Sequence, residues 1–189
     1  MSETPKNILF WGEFLGFAGG IERYEFQSAE ILRRHGFHID CAGWKPSRDE
    51  QIFRAGFDRV LSPAEAIRNN CEYDLVVLHK PLPTNMLSVL RSRFGERVVF
   101  FAHDHDVYCP RRHYYTPFGR RNCRRAFHPV RCGLCSLATA PRNRVDGPLT
   151  QEIRLRELAK HHAVVLSEFM RDNLLRNGFS PEKTRVIHP

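Results

Sequence analysis

Three groups of residues have the types and spacing to do chemistry. His103, Asp104, His105 and Asp106 stand together directly after the apolar run Val-Val-Phe-Phe-Ala. In an extended chain the two imidazoles project to one side and the two carboxylates to the other. That arrangement suits acid/base work by a histidine, or a metal held by the pair. A polar strand end whose carboxylates hold loop N–H groups would read the same way. The second group is the stretch 12–20, Gly-Glu-Phe-Leu-Gly-Phe-Ala-Gly-Gly. Lacking Cβ atoms, Gly19 and Gly20 would let backbone N–H groups at a helix start approach a phosphate or a sugar. A flexible strand-to-helix connection is the alternative. Asp40, 20 residues after Gly20, raises a dinucleotide site in which an acid holds a ribose. Gly12, Gly16, Gly19 and Gly20 lack the G-x-G-x-x-G spacing of that motif, however, and the loop is long for its tight turn. The third group is Cys109, Cys123, Cys132 and Cys135, spaced C-x13-C-x8-C-x2-C. The closing Cys-x-x-Cys could share a tetrahedral Zn²⁺ and staple an unsupported loop. Reduced thiols or a redox-sensitive pair are the alternatives.

The cysteines lie in a stretch with a second peculiarity. Residues 103–148 hold nine arginines and no lysine against Asp104, Asp106 and Asp146, so six of the eight net positive charges of the chain fall there. Concentrated charge points to an anionic partner at one place, since a generally basic protein would spread it. Arg111, Arg112, Arg120, Arg121, Arg124, Arg125 and Arg131 alternate there with Tyr114, Tyr115, Phe118 and Phe127. That mixture could bind single-stranded nucleic acid, a phosphorylated lipid acceptor or an anionic membrane face, or could simply keep a loop soluble.

The elements that must position these groups follow from periodicity. The stretch 7–11, Asn-Ile-Leu-Phe-Trp, suits a buried parallel strand, and 21–35 reads as a helix whose apolar face is Ile21, Tyr24, Ala29, Ile31 and Leu32, ending at Gly36. A strand is expected over 37–41. At Ser62 the order Ser-Pro-Ala-Glu makes a capping box for another helix. Strands at 75–78 and 97–102 flank a helix at 84–94, and the chain closes with a helix at 150–160, a strand at 163–166, a helix from the Ser167 N-cap to Gly178 and a strand at 184–187. No periodic element is evident over 106–148, which reads as a long functional insertion. Strand and helix in alternation imply an α/β fold, a doubly wound, Rossmann-like parallel sheet that binds ligands at the carboxyl ends of its strands.

Size and composition set the outer limits. With 189 residues, 42% apolar and 11% aromatic, the chain can bury a core and is expected to form one domain over 1–189. No apolar run reaches the roughly 20 residues of a membrane span, and the first residues lack the apolar stretch of a signal peptide. The expected location is cytoplasmic, with peripheral contact at the inner membrane face through the basic loop.

These blocks together resemble the N-terminal domain of family-4 glycosyltransferases of the GT-B fold. The resemblance rests on Asn-Ile-Leu-Phe-Trp followed by Gly-Gly-Ile-Glu-Arg-Tyr and Ile-Leu-Arg-Arg-His-Gly-Phe, and on Val-Val-Phe-Phe-Ala-His-Asp with Cys109-Pro110 and the later cysteines. The second of these looks like a family variant with a cysteine-bearing loop. Val-Val-Leu-Ser-Glu-Phe-Met-Arg-Asp, then Ser-Pro-Glu-Lys and Arg-Val-Ile-His-Pro, look like the region before the interdomain linker. The resemblance implies transfer of a sugar from a nucleotide-diphosphate sugar to a glycan or lipid-linked acceptor, with retention of configuration and no catalytic metal. It implies that Gly19 and Gly20 approach the donor diphosphate and that His103 is the catalytic candidate beside the transferred sugar. It also implies a second, donor-binding domain absent from this chain, without which transfer activity would be negligible. His105 stands where the family more usually has an aromatic. Two other readings remain: a zinc-stabilised nucleic-acid-binding module using the arginine and aromatic loop, and a metal-dependent hydrolase centred on residues 103–106. Neither accounts for the segment 164–189, and nucleic acid is not the expected partner.

Overall fold

The computed structural model describes residues 6–111, 114–116, 121–137 and 147–188. The backbone divides into two compact units, Met1–Lys80 with Val89–Phe101, and Pro81–Ser88 with Ala102–Pro189.

The first unit runs β1 (Asn7–Trp11), β2 (Phe14–Leu15), α1 (Gly20–Arg34), β3 (His38–Ala42), β4 (Lys45–Pro46), α2 (Glu50–Ala55), β5 (Arg59–Leu61), α3 (Pro63–Arg68) and β6 (Leu75–Leu78). Helix α4 (Thr84–Phe94) crosses the division and leads to β7 (Val98–Ala102). The main strands are parallel and lie in the order β5-β3-β1-β6-β7. The chain builds outward from β1 through β3 to β5, then returns to the other side of β1 with β6 and β7. The strand order therefore reverses between β1 and β6, the kind of switch point beside whose carboxyl ends open α/β sheets bind ligands. Both faces of β1 are covered: Ile8, Leu9, Phe10 and Trp11 are all buried, as a parallel strand between helical layers requires. Ile8 and Phe10 join Ala29, Ile39, Cys41, Phe53 and Phe57 in one apolar cluster.

Local signals explain the boundaries. The Glu65 N–H donates to Ser62 Oγ at 3.3 Å and the Ser62 N–H donates to Glu65 Oε2 at 2.8 Å, so the capping box opens α3 as expected. Gly36 takes φ +85° after α1, the left-handed stop its position called for. The buried face of α1 is rotated from the expected one, because Glu22, Glu25 and Ala29 point inward while Ile31 is exposed. The short elements β4, α2 and β5 have too few residues to show a period, and the sequence does not announce them.

The second unit holds α5 (Pro129–Leu137), α6 (Pro148–Leu158), β8 (His162–Val165), α7 (Glu168–Arg176) and β9 (Thr184–Val186). β8 and β9 are parallel, with Ala163 opposite Thr184 and Val165 opposite Val186. Ser167 caps α7 by accepting from the Met170 N–H at 3.3 Å. Leu155, Leu158, Ala163, Val165, Leu174 and Phe179 are buried. Helix α5 lies inside the stretch expected to be without regular structure. Its start is marked by Pro129, whose fixed φ suits a first turn. The expected class, a parallel α/β sheet with flanking helices, is the class observed.

Candidate functional site

The loop from β1 to α1 begins at this switch point and is anchored at its middle. The Gly12 N–H donates to Ala42 O at 3.1 Å. Phe14 and Leu15 then pair in parallel with Lys45 and Pro46, and the Phe17 N–H donates to Arg48 O at 2.8 Å. A Cβ on Gly16 would lie 2.6 Å from Arg48 O, so the close approach of the two backbones requires glycine there. The Phe17 ring packs edge-on against Phe26 and Phe53, with centroids 5.4 and 5.6 Å away.

Beyond that anchor the chain opens. Ala18, Gly19 and Gly20 are exposed, and Gly19, the N-cap of α1, has no side chain to close the first turn. No side chain of the N-cap takes up the N–H groups at this, the positive end of a 15-residue helix. A Cβ on Gly20 would meet nothing within 4 Å. The fold itself therefore does not require glycine at 20.

Two carboxyl groups lie beneath this opening. Glu22, in the first turn of α1, is buried, with Oε2 3.5 Å from where a Gly19 Cβ would be. Its charge suits the helix dipole and competes with an incoming anion. Glu25 is buried one turn further on, its Oε1 2.9 Å from the position of a Gly12 Cβ. Burial pushes the Glu25 carboxyl well above the ordinary carboxylate range, Glu22 adds to the shift, and Lys80 partly offsets it. Both Glu25 oxygens and Trp11 Nε1 are buried without a hydrogen-bond partner among the described residues. A carboxyl held above its ordinary range takes up negative charge less readily, so burial opposes negative charge under the loop. The signal for it was present: Glu22, Glu25 and Ala29 recur at helical spacing, so two acids occupy an inward stripe. His79, just past β6, is also buried, its ring 4.7 Å from that of Phe10 and stacked at 5.8 Å on Phe101.

Asp40 does not serve as a ribose acceptor. It lies mid-strand in β3, fully buried, and its Oδ2 accepts from Tyr73 Oη at 2.7 Å and from Arg59 Nε and Nη2 at 2.9 and 2.7 Å. Its Oδ1 lies 3.1 Å from His38 Nε2, without a well-aligned hydrogen bond. Burial, ahead of the bond to Asp40, pushes the Tyr73 phenol above its ordinary range, so it stays protonated and donates. Asp40 thus fixes the sheet interior.

In the second unit His103 is the first residue past β7 and is half-buried. The extended course expected through residues 103–106 is not taken. Asp104 Oδ1 accepts from the Asp106 N–H at 3.0 Å, and the Tyr108 and Cys109 N–H groups both donate to His105 O, at 3.3 and 2.8 Å. The segment is a turn, so the alternation that would align His103 with His105 is lost. His105 Nδ1 instead meets Tyr108 Oη at 2.5 Å, and its ring lies 5.1 Å from that of Tyr114. Burial lowers the His105 pKa, against a smaller opposing effect of Asp104.

All four loop cysteines are free thiols. Cys132 and Cys135 are on one turn of α5; Cys132 Sγ accepts from the His128 N–H at 3.4 Å and Cys135 Sγ from Arg111 Nη1 at 3.6 Å. Burial raises the Cys109 and Cys132 thiols, and the neighbouring Cys123 raises both further. The cysteines gather, yet among the described residues no three His, Cys, Asp or Glu side chains are placed to hold a metal ion. Neither Cys109, Cys123, Cys132 and Cys135 nor His103 with His105 make such a group among the described residues, so zinc has no support there.

The aromatic and basic residues also separate. Arg121, Arg124, Arg125 and Arg131 are exposed, but Tyr114 is buried, with its hydroxyl donating to Asn173 Oδ1 at 2.8 Å, and Phe127 is half-buried. Of the expected stacking residues Tyr115 alone is exposed among those described; Arg112, Phe118 and Arg120 lie outside them. A stacking surface for single-stranded nucleic acid is not assembled from the described residues.

No family model matches the chain, and no curated protein matches it in sequence. Solved structures of Anabaena Alr3699/HepE match it in fold. The complex with UDP aligns at a TM-score of 0.58 and 16% identity over 96% of this chain and 43% of that one. The complex with UDP and glucose aligns at 0.57 and 15% over 97% and 44%, and the complex with UDP-glucose at 0.57 and 16% over 96% and 43%. At such identity the likeness is one of fold, and this chain spans less than half the length of the chains it matches.

Proposed function

We propose that this chain is the acceptor-side domain of a GT-B glycosyltransferase, working with a second, donor-binding domain. The observation that carries the reading is the uncapped, exposed start of α1 at the carboxyl end of β1. It occurs in a fold shared over almost the whole chain with a protein solved with UDP and UDP-glucose.

In this reading the bond between the sugar's anomeric carbon and the donor diphosphate breaks, and its electron pair leaves with the diphosphate. The acceptor hydroxyl oxygen bonds to that carbon as its proton passes to an oxygen of the departing diphosphate, with overall retention of configuration. The N–H groups after Gly19 and Gly20 face the diphosphate, where the positive end of α1 meets the charge that develops on the leaving group. The burial that raises the Glu25 pKa opposes the build-up of negative charge beneath that end. His103 lines the sugar cleft, and the acceptor is a glycan or a lipid-linked sugar. The chemistry calls on no catalytic metal, and nothing in the reading uses zinc on the cysteines.

The test is amide-resolved NMR of the chain with UDP, ADP and GDP at millimolar concentration. Shifts centred on Gly19, Gly20 and Ile21, attenuated in Gly20→Ala, are expected. Shifts absent with all three nucleotides, or confined to the cysteine loop, would sink the reading. Nucleotide release from UDP-glucose by the chain alone should be negligible, since most donor contacts belong to the other domain. Steady turnover would show that no second domain is needed.

A further inference from the structure

Aromatic rings gather around His105 in the second unit. The imidazole lies 5.6 Å from the ring of Tyr108, 5.1 Å from that of Tyr114 and 6.2 Å from that of Phe169, edge-on to the last at 87°. Tyr108 and Tyr114 are buried, whereas Phe169, in the first turn of α7, is 40% exposed. Tyr114 holds φ +51°, a left-handed backbone that bulky residues rarely adopt, so its place beside His105 is kept at a cost.

Hydrogen bonds behind these rings fix where His105 carries its proton. Asn173 is fully buried. Its Oδ1 accepts from Arg176 Nη1 at 3.1 Å and from Tyr114 Oη at 2.8 Å, and its Nδ2 donates to Phe169 O at 2.8 Å. Arginine can only donate and a carbonyl can only accept, so the amide has one orientation. Nδ2 has a second hydrogen, and Asn173 also hydrogen-bonds Tyr108, whose oxygen is therefore the acceptor. The phenol, held above its ordinary range chiefly by burial, keeps one hydrogen to give, and His105 Nδ1 lies 2.5 Å away. Nδ1 thus accepts, and in the neutral imidazole the hydrogen sits on Nε2. Burial, which lowers the His105 pKa, favours that neutral ring. Nε2 has no hydrogen-bond partner among the described residues and is not buried, so its N–H is available to a ligand.

This donor is the chain's own, since His105 stands where the family it resembles more usually has an aromatic. The charge acting on His105 is that of the Asp104 carboxylate, which disfavours an anionic ligand. A ring with C–H bonds on its face and hydroxyls at its rim answers both exposed groups. We propose that His105 and Phe169 form a subsite for an uncharged pyranose of the acceptor. The sugar face packs on Phe169, one hydroxyl oxygen accepts from His105 Nε2–H, and Tyr108 and Asn173 are positioning residues. Its assignment to the acceptor rests on the sugar-transfer reading; the binding of a pyranose does not.

NMR of the whole chain, resolving amides and imidazole nitrogens, tests this with the methyl pyranosides of glucose, galactose, mannose and N-acetylglucosamine at up to about 100 mM. Before sugar is added, His105 should show a protonated Nε2 and an unprotonated Nδ1, and Tyr108→Phe should turn this into a mixture of tautomers. At least one pyranoside should shift Phe169 and the His105 Nε2–H. Its affinity should fall about tenfold in Phe169→Ala and about fivefold in His105→Phe, which keeps a ring and removes the donor. His105→Gln, able to accept from Tyr108 and donate outward, should stay within about threefold of the parent, and melting curves verify the fold of each variant. A proton on Nδ1, no shift at these residues with any of the sugars, or undiminished affinity in His105→Phe overturns the proposal. UDP-induced shifts at Gly19 and Gly20 report the sugar-transfer reading separately. Those shifts without any pyranoside effect sink the subsite alone; pyranoside shifts without them sink the transfer reading and keep the pyranose site.

Discussion

Glu25 offers the sharpest single test of the electrostatics beneath the β1–α1 loop. The substitution Glu25→Gln keeps the shape of the side chain and removes its proton equilibrium. Because burial raises the Glu25 pKa in the folded state, the folded chain binds more protons than the unfolded chain above the ordinary value, so stability falls as pH rises. The stabilising proton is fully in place below pH 4.5, the ordinary value, and the cost grows from there until the folded-state pKa is passed. For as long as the carboxyl stays protonated in the folded chain, each pH unit above that ordinary value costs on the order of 1 kcal/mol. Glutamine incurs none of it. Urea unfolding of both proteins at pH 4, 5.5 and 7 should therefore show nearly equal stability at the lowest pH. The variant should gain on the parent thereafter, by on the order of 1 kcal/mol per pH unit for as long as Glu25 holds its proton. A difference independent of pH, or a variant less stable at pH 7, would mean that Glu25 is ionised and paired, and would refute the account.

Other perturbations read different parts of the molecule. Gly16→Ala should destabilise the chain by about 2 kcal/mol in denaturant titrations, because the new methyl collides with Arg48 O, whereas Gly20→Ala should leave stability within about 0.5 kcal/mol. Tyr73→Phe removes one of the donors to buried Asp40 and should cost about 1 kcal/mol at neutral pH. With a thiol reagent at neutral pH, exposed Cys71 should react at once, and buried Cys41, whose thiol burial raises well above its ordinary range, only on unfolding. Prompt modification of Cys41 in the folded chain would show that the β3 interior is not closed.

The strands that carry long apolar runs were readable because burial on both faces leaves little choice of residue: Ile8 to Trp11 and Leu75 to Leu78 could hardly be anything else. Caps were equally plain, since Ser62 with Glu65, Gly36 and Ser167 each answer a local hydrogen-bonding or backbone need. The rotated face of α1 was harder, because glutamate is expected outside and an inward Glu25 makes sense only beside the glycine over which its carboxyl lies. The turn after Ala102 was misjudged for a related reason. Alternation along a strand fixes side-chain direction only while the strand lasts, and Asp104 ends it by taking the Asp106 N–H. Helix α5 escaped notice because its apolar stripe faces water, so the period was there without the burial that usually accompanies it. The thiol arrangement was beyond reach, since spacing in sequence does not set the distance between sulfurs on different elements.

The bond from Phe17 to Arg48, with the short β2–β4 pairing before it, changes what a ligand must do on arrival. A nine-residue connection left slack would have to be immobilised along its whole length, at about 1–2 kcal/mol of backbone entropy per residue. Pinned at Phe17, the connection leaves Ala18, Gly19 and Gly20 as the part still to be stilled. Most of the disorder has been removed during folding, so a ligand with few contacts on this half can still hold the helix start in place.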